Sequence, residues 1–241
     1  MNLKTYKDKQ ELAEAAARDF VERAQKAIED TDRFVVALAG GSTPEATYEM
    51  LATEEYADRL DWSKVHVFFG DERSVPPDDE DSNYRMANEA LLSHVPVGSV
   101  HRMKGELHPD EAAAEYEEEL REFFGTPGRP PEFDLIQLGI GDDGHTASLF
   151  PNTPALDVTD CWVAQNPVPK LETVRITLTL PVLNAAKAIS FLIAGEGKAE
   201  ALREVLEGDA DPYDYPSKFV QPVGELNWMA DQEAASMLDQ T

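Results

Sequence analysis

Short apolar runs alternate with helical patterns along this chain, and the alternation restricts its fold more than any other feature. Neighbouring parallel strands need a long crossover between them, usually a helix, so the pattern predicts a parallel α/β sheet covered by helices on both faces. Without a Gly/Ser linker, the 241 residues predict one domain, 1–241. The runs typical of strands are Phe34–Ala39, Val65–Phe69, Phe133–Leu138, Val174–Leu180 and Ile189–Ala194.

The loop after the third run carries the strongest functional signal. Residues 133–151 read FDLIQLGIGDDGHTASLFP, so an apolar run stops at a glycine-rich turn. In parallel α/β sheets, ligands bind at the carboxyl ends of the strands, which is where this turn should lie. His145 is the residue there that titrates near neutral pH, and Asp143 is close by in sequence. We therefore predict that His145 is a general base.

The same loop formally matches the dinucleotide-binding pattern GxGxxG at Gly139, Gly141 and Gly144. In such a site the loop backbone approaches a pyrophosphate, and Asp142 and Asp143 would place negative charge beside that anion. The sequence also has no HExxH, paired CxxC, GxSxG or complete Walker motif. We predict an enzyme with neither a cofactor nor a metal.

A second glycine-rich loop follows the first run, where residues 34–51 read FVVALAGGSTPEATYEML. Gly40, Gly41, Ser42 and Thr43 lie between a strand and a helix, and Pro44 suits the first helical position. Backbone N–H groups and the helix dipole at such a place favour an anion, which predicts a phosphate site on these four residues. An ordinary turn capped by Thr43 would give the same sequence.

Four charged residues follow or belong to the other runs. Asp71 and Arg73 come directly after the second run, although a surface salt bridge would produce the same pattern. Arg175 lies in an alternating run, and Lys198 follows the last run after Gly-Glu-Gly. In a chain with 47 acidic and 21 basic residues, these two cations are candidates for holding an anionic substrate. Surface cations with solvated heads are the open alternative.

Charge and composition restrict partners and compartment. A formal net charge of −26 would repel nucleic acid and anionic membranes, so we expect neither as a partner. Such a surface would suit a high-salt cytoplasm, where screening relieves self-repulsion. The N-terminal segment is polar and lacks the apolar core of a signal peptide, which predicts a cytoplasmic protein. The single Cys161 cannot form an internal disulfide and is interpreted as structural.

Several motifs, in this order, together resemble the 6-phosphogluconolactonase family. They are AGGSTP at Ala39–Pro44, GDERSVP at Gly70–Pro76 with SN at Ser82–Asn83, GxGxDGHTASLFP at Gly139–Pro151, RITLT at Arg175–Thr179, the GEGK segment and ELNW at Glu225–Trp228. The resemblance implies a Rossmann-like parallel α/β fold shared with glucosamine-6-phosphate deaminase. It also implies cofactor-free hydrolysis of 6-phosphoglucono-1,5-lactone to 6-phosphogluconate in the pentose phosphate pathway.

The resemblance further implies a role for each candidate residue. His145 would accept a proton from the attacking water, and Asp143 would orient His145. Asp71 and Arg73 would bind the sugar ring or steady the developing oxyanion. The substrate phosphate would bind the Gly41–Thr43 loop together with Arg175 and Lys198.

Two other functions remain open from the sequence. A glucosamine-6-phosphate deaminase shares the GGSTP-like loop and the DGH histidine, but its pattern runs DGHxAFNEP, and Phe150 stands here in place of its glutamate. A non-catalytic sugar-phosphate sensor would keep the phosphate loop without needing Asp143 and His145. For the enzyme, we expect a small sugar-phosphate lactone as substrate and a monomeric state.

Overall fold

A seven-stranded parallel sheet forms the centre of the molecule in the computed structural model, which describes residues 2–125 and 128–239. Its strand order is β1-β10-β9-β6-β2-β3-β5, and all six pairings are parallel. The strands are β1 (Asn2–Tyr6), β2 (Phe34–Leu38), β3 (Val65–Phe69), β5 (Ser99–Val100), β6 (Leu135–Leu138), β9 (Ala188–Ile193) and β10 (Glu225–Asp231).

Helices connect these strands and cover both faces of the sheet. They are α1 (Lys9–Thr31), α2 (Ser42–Leu51), α3 (Glu54–Ala57), α4 (Asn83–Ala87, continued by a π-helical turn, Asn88–Leu92), α5 (Pro109–Phe124), α6 (Leu180–Ala185) and α7 (Ala199–Leu206). α1 begins where the Asp8 carboxylate accepts a hydrogen bond from the Glu11 N–H at 2.9 Å. No helix in the described ranges is long and apolar enough to cross a membrane.

β2 shows how the core is divided into two layers. Its five residues are all buried, with Val35 and Ala37 in one hydrophobic cluster and Phe34, Val36 and Leu38 in another. Because successive strand residues point to opposite faces, a strand covered on both sides is apolar throughout. The predicted α/β fold, with helices on both faces of a parallel sheet, is confirmed.

The order of the strands places a crevice at the carboxyl ends of β2 and β6. These strands are neighbours, but the chain continues from β2 towards β3 and β5 on one side and from β6 towards β9 and β10 on the other. The loops after β2 and β6 therefore diverge, as they do at the ligand-binding crevice of open α/β sheets.

One predicted strand belongs to a different sheet. Val174–Leu180 was expected in the parallel sheet, but it forms β8 (Thr173–Leu178) in a three-stranded antiparallel sheet with β4 (Asp71–Arg73) and β7 (Val163–Val168). The Leu178 N–H donates to the Gly70 carbonyl at 2.9 Å and joins the small sheet to the end of β3. This small sheet extends over the crevice and supplies side chains to it.

Candidate active site

Loops at the carboxyl edge of the parallel sheet and strands of the small sheet line a cleft of about 430 Å³. Asp143 lies behind His145 rather than on the wall of this cleft. The other predicted site residues all line it: Gly40, Gly41, Ser42, Thr43, Asp71, Arg73, His145, Arg175 and Lys198. The fold thus brings together five segments that are far apart in sequence.

Contacts on both sides of the ring fix the orientation of His145. Its Nδ1 lies 2.5 Å from Oδ1 of Asp143, and the other carboxylate oxygen of Asp143 pairs with the Lys170 ammonium. The imidazole stacks on Phe150, with ring centroids 4.1 Å apart. Because a carboxylate only accepts hydrogen bonds, the ring proton belongs on Nδ1, and Nε2 keeps its lone pair. His145 is therefore arranged as a proton acceptor.

The surroundings of His145 keep it neutral. Burial lowers the pKa of His145 to about 4; the Asp71 carboxylate opposes this shift, and the Lys198 cation adds to it. A neutral imidazole is the form that can take a proton from water, and here it predominates at neutral pH.

Two glycines allow the loop to wrap around this ring. A Cβ on Gly141 would lie 2.0 Å from Nδ1 of His145, and the Gly141 N–H donates to the His145 carbonyl at 2.8 Å. Gly144 has a φ of 75°, and its carbonyl accepts hydrogen bonds from the backbone N–H and the hydroxyl of Ser217. A side chain at Gly141 would displace the paired His145 and Asp143, and one at Gly144 would strain the turn.

A network of neutral donors positions Asp71 on the floor of the cleft. Its carboxylate accepts from the Ser148 hydroxyl at 2.6 Å and from the Asn83 amide at 3.2 Å. Asn83 also donates to the Asp71 carbonyl at 2.9 Å. Gly40 approaches Asn83 so closely that a Cβ there would lie 1.9 Å from its Oδ1. Asn83 thus lies between Asp71, which it binds, and the loop after β2, against which it packs.

The cleft is also lined by cations, among them Arg73, Arg175 and Lys198. Arg73 and Arg175 stand directly across from each other on β4 and β8, although like charges in that register repel. The Arg175 Nε is buried without a hydrogen-bond partner, and burial lowers the Arg175 pKa, as does the neighbouring Arg73 cation. Within the described residues, no hydrogen bond or ion pair occupies the Lys198 ammonium either. Unpaired cations in a protein of charge −26 favour an anionic ligand here.

The loop after β2 differs in detail from the prediction. α2 begins at Ser42, Gly41 occupies the cap position with a φ of 95°, and Pro44 is the third helical residue rather than the first. The prediction that Pro44 opens the helix is therefore wrong, and the alternative turn capped by Thr43 does not form either. The N–H groups of Ser42 and Thr43 lie in the first helical turn, where they have no intrahelical acceptor and are free for an anion.

The family model described as glucosamine-6-phosphate isomerases/6-phosphogluconolactonase matches residues 7–228 of this chain. The chain belongs to this family. A 6-phosphogluconolactonase of Synechocystis sp. is 46% identical over 235 residues, which are 96% of this chain and 95% of that protein.

Solved structures from both branches of the isomerase and lactonase family share the fold. The 6-phosphogluconolactonase of Trypanosoma cruzi has a TM-score of 0.87 and 28% identity, covering 99% of this chain and 97% of that one. A monomeric glucosamine-6-phosphate deaminase has a TM-score of 0.78 and 25% identity, covering 98% of this chain and 100% of that one.

Three polar residues of the site escaped the sequence-based interpretation of this family member. Asn83 and Ser148 lie inside quoted motifs, but only the folded structure shows that both bind Asp71. Lys170 gave no signal, because it looks like a surface lysine between β7 and β8. No group of three His, Cys, Asp or Glu side chains in the part of the chain that the structure describes could hold a metal ion.

Proposed function

We propose that this protein hydrolyses 6-phosphoglucono-1,5-lactone to 6-phosphogluconate in the oxidative pentose phosphate pathway, with His145 as general base. The observation that carries the proposal is the combination of two features in one cleft. A neutral His145 is oriented by Asp143, and the unpaired cations Arg175 and Lys198 line the same cleft. The substrate carries an uncharged lactone group at one end and a phosphate at the other, and these two groups match the two features.

The phosphate would bind the first turn of α2 and the neighbouring cations. Ser42 and Thr43 offer backbone N–H groups and hydroxyls, while Arg175 and Lys198 supply charge-assisted hydrogen bonds. Holding the phosphate fixes the position of the lactone carbonyl, so that binding energy far from the reacting carbon orients it.

The reaction needs one proton acceptor and a means of stabilising an oxyanion. Water attacks the lactone carbonyl carbon, and Nε2 of His145 takes its proton while the carbonyl oxygen becomes negative. Arg73 is the candidate to stabilise that oxygen, and Asp71, held by Ser148, would accept a hydrogen bond from a ring hydroxyl. Collapse breaks the bond between the carbonyl carbon and the ring oxygen, and His145 returns its proton to that oxygen.

Glucosamine-6-phosphate deamination is the second candidate, because that enzyme class shares the fold and the histidine. Phe150 argues against it. This residue stands where the deaminase pattern has a glutamate, and its ring packs against His145 instead of supplying a carboxylate. A phenyl ring cannot exchange a proton during opening of the amino sugar.

The test compares three substrates with the same wild-type protein. We expect hydrolysis of freshly made 6-phosphoglucono-1,5-lactone far above its spontaneous rate, with kcat/KM for unphosphorylated glucono-1,5-lactone lower by about 10²-fold or more. Glucosamine-6-phosphate should release no ammonia. Ammonia release without lactone hydrolysis would establish the deaminase instead, and binding of 6-phosphogluconate with neither reaction would establish a sensor.

A further inference from the structure

Asp231, the last residue of β10, has a buried carboxylate that contacts backbone rather than a cation. Its side chain accepts from the Gly195 N–H with both oxygens, at 3.1 and 3.0 Å, and from the Ala234 N–H at 2.7 Å. The residue is only 3% exposed. Keeping a carboxylate buried is costly unless its hydrogen bonds are formed, so these contacts fix the backbone that donates them.

Gly195 transmits this restraint to the cleft. It has a φ of 94° and a ψ of 149°, a conformation that essentially only glycine adopts. Its N–H is held by Asp231, and its carbonyl accepts the Lys198 N–H at 3.1 Å. One residue therefore connects the Asp231 carboxylate to the backbone of Lys198.

Lys198 presents its charge to the cleft from the end of this connection. It lines the cleft, and its cation contributes to the lowered pKa of His145. In the described ranges no carboxylate pairs with its ammonium group. Because no contact with the described residues holds the ammonium group of this long side chain, its position depends on the position of the backbone turn at Gly195.

We propose that Asp231 is a positioning residue for the phosphate site and aims Lys198 at the phosphate by clamping the Gly195 turn. The inference rests on the proposed function, because it assigns the phosphate to Lys198. The loss of the Asp231 charge and the loss of its positioning role predict opposite changes in the affinity for an anion. Removing one carboxylate from a protein of charge −26 would by itself favour an anion, whereas losing the clamp should weaken binding.

The experiment measures the affinity for 6-phosphogluconate by calorimetry in four proteins: wild type, Lys198→Ala, Asp231→Asn and the double variant. We expect each single variant to bind about ten-fold more weakly, because the loss of a hydrogen bond to a charged group costs at least about that factor. Because Asp231 acts through Lys198, the double variant should match Lys198→Ala within about twofold. Glu233→Gln, which removes an exposed charge two residues away, should bind at least as tightly as wild type.

A second readout separates positioning from damage to the fold. Hydrolysis of unphosphorylated glucono-1,5-lactone does not use the phosphate site, so Asp231→Asn should leave that rate unchanged and raise KM for the phosphorylated lactone. Wild-type affinity in Asp231→Asn, multiplicative losses in the double variant, or equal loss on both lactones would overturn the proposal.

The remaining outcomes also decide between explanations. Unchanged affinity in Lys198→Ala would refute the phosphate assignment and the positioning role together, while the wild-type lactonase rate, measured in parallel, would still test the proposed function. If Asp231→Asn does not fold, Gly195→Ala perturbs the same turn by its φ alone, since a Cβ there meets no atom within 4 Å. The same comparison with Lys198→Ala then applies to it.

Discussion

At the residue scale, the proposed mechanism depends on which nitrogen of His145 carries the proton. Asp143 lies against Nδ1, and its second oxygen is taken by Lys170. The charge relationship between these three groups, rather than the presence of a histidine alone, makes Nε2 the basic atom. Substitutions that keep the shape of Asp143 but change its hydrogen bonding therefore test the arrangement.

Replacing Asp143 with Asn should cost most of the activity. Lys170 would attract the amide oxygen, which leaves the amide N–H groups facing Nδ1 and moves the imidazole proton to Nε2. We expect kcat to fall by roughly 10²–10⁴-fold, the loss typical of removing a positioned base. Asp142→Asn is the matched control, because it removes a neighbouring charge that makes no contact with Nδ1. Equal rates in the two variants would contradict the tautomer argument.

The acid limb of the profile of kcat/KM against pH should lie at an unusually low pH. Burial lowers the pKa of His145 to about 4, so the neutral form persists well below the ordinary histidine range near 6.5. We expect kcat/KM for unphosphorylated glucono-1,5-lactone, which has no phosphate to titrate, to stay level from pH 7 to about 5 and to fall as His145 becomes protonated near pH 4. Circular dichroism at each pH would exclude unfolding. A limb centred near pH 6.5 would show that the cleft does not desolvate the ring.

At the element scale, the loop after β6 should tolerate a methyl group at one glycine and reject it at another. Gly141→Ala would place a Cβ 2.0 Å from Nδ1 of His145, whereas a Cβ on Gly139 meets nothing within 4 Å. Misplacement by about 1 Å can cost 10²-fold in rate, so we expect a loss of that order for Gly141→Ala. Gly139→Ala should keep wild-type kcat. Comparable activity of both variants would mean that the loop does not press against the histidine.

Strands could be recognised from the sequence where both of their faces are buried. β2, β3, β6 and β9 are largely apolar and almost wholly buried, and their runs were recognisable without the structure. β1 reads NLKTY and lies at a polar edge, so neither its composition nor its alternation marked it. β8 was recognised as a strand, but its partner β4 has three residues, and that pairing spans about a hundred positions. Pairing over such a distance leaves no local pattern.

Only part of the candidate site could be predicted from the sequence. His145, Lys198 and the loop after β2 could be predicted because parallel strands end at one edge of the sheet. Asn83, Ser148 and Lys170 could not, since their roles depend on which side chains they meet after folding. Sequence therefore indicated the chemistry of the cleft, and the structure supplied its supporting contacts.

At the scale of the whole molecule, the charge of −26 should make stability depend on salt. Exposed carboxylates repel one another over about 30 Å in roughly 0.01 M buffer, and roughly 1 M salt shortens that range to about 3 Å. We expect the melting temperature to rise between dilute buffer and molar KCl. Chloride is the suitable anion, because sulfate would stabilise most proteins by exclusion from their surface. An unchanged melting temperature would count against adaptation to a salty cytoplasm.

In the proposed mechanism, His145 performs the chemistry while Arg175 and Lys198 hold the phosphate. The most direct measurement is the rate of 6-phosphogluconate formation from fresh lactone by wild type and His145→Ala, corrected for spontaneous hydrolysis, together with the affinity of each for 6-phosphogluconate. We expect kcat to fall by roughly 10²–10⁴-fold and the affinity to change little. A variant that retains wild-type turnover, or loses affinity and rate in the same proportion, would contradict the assignment of His145 as the base.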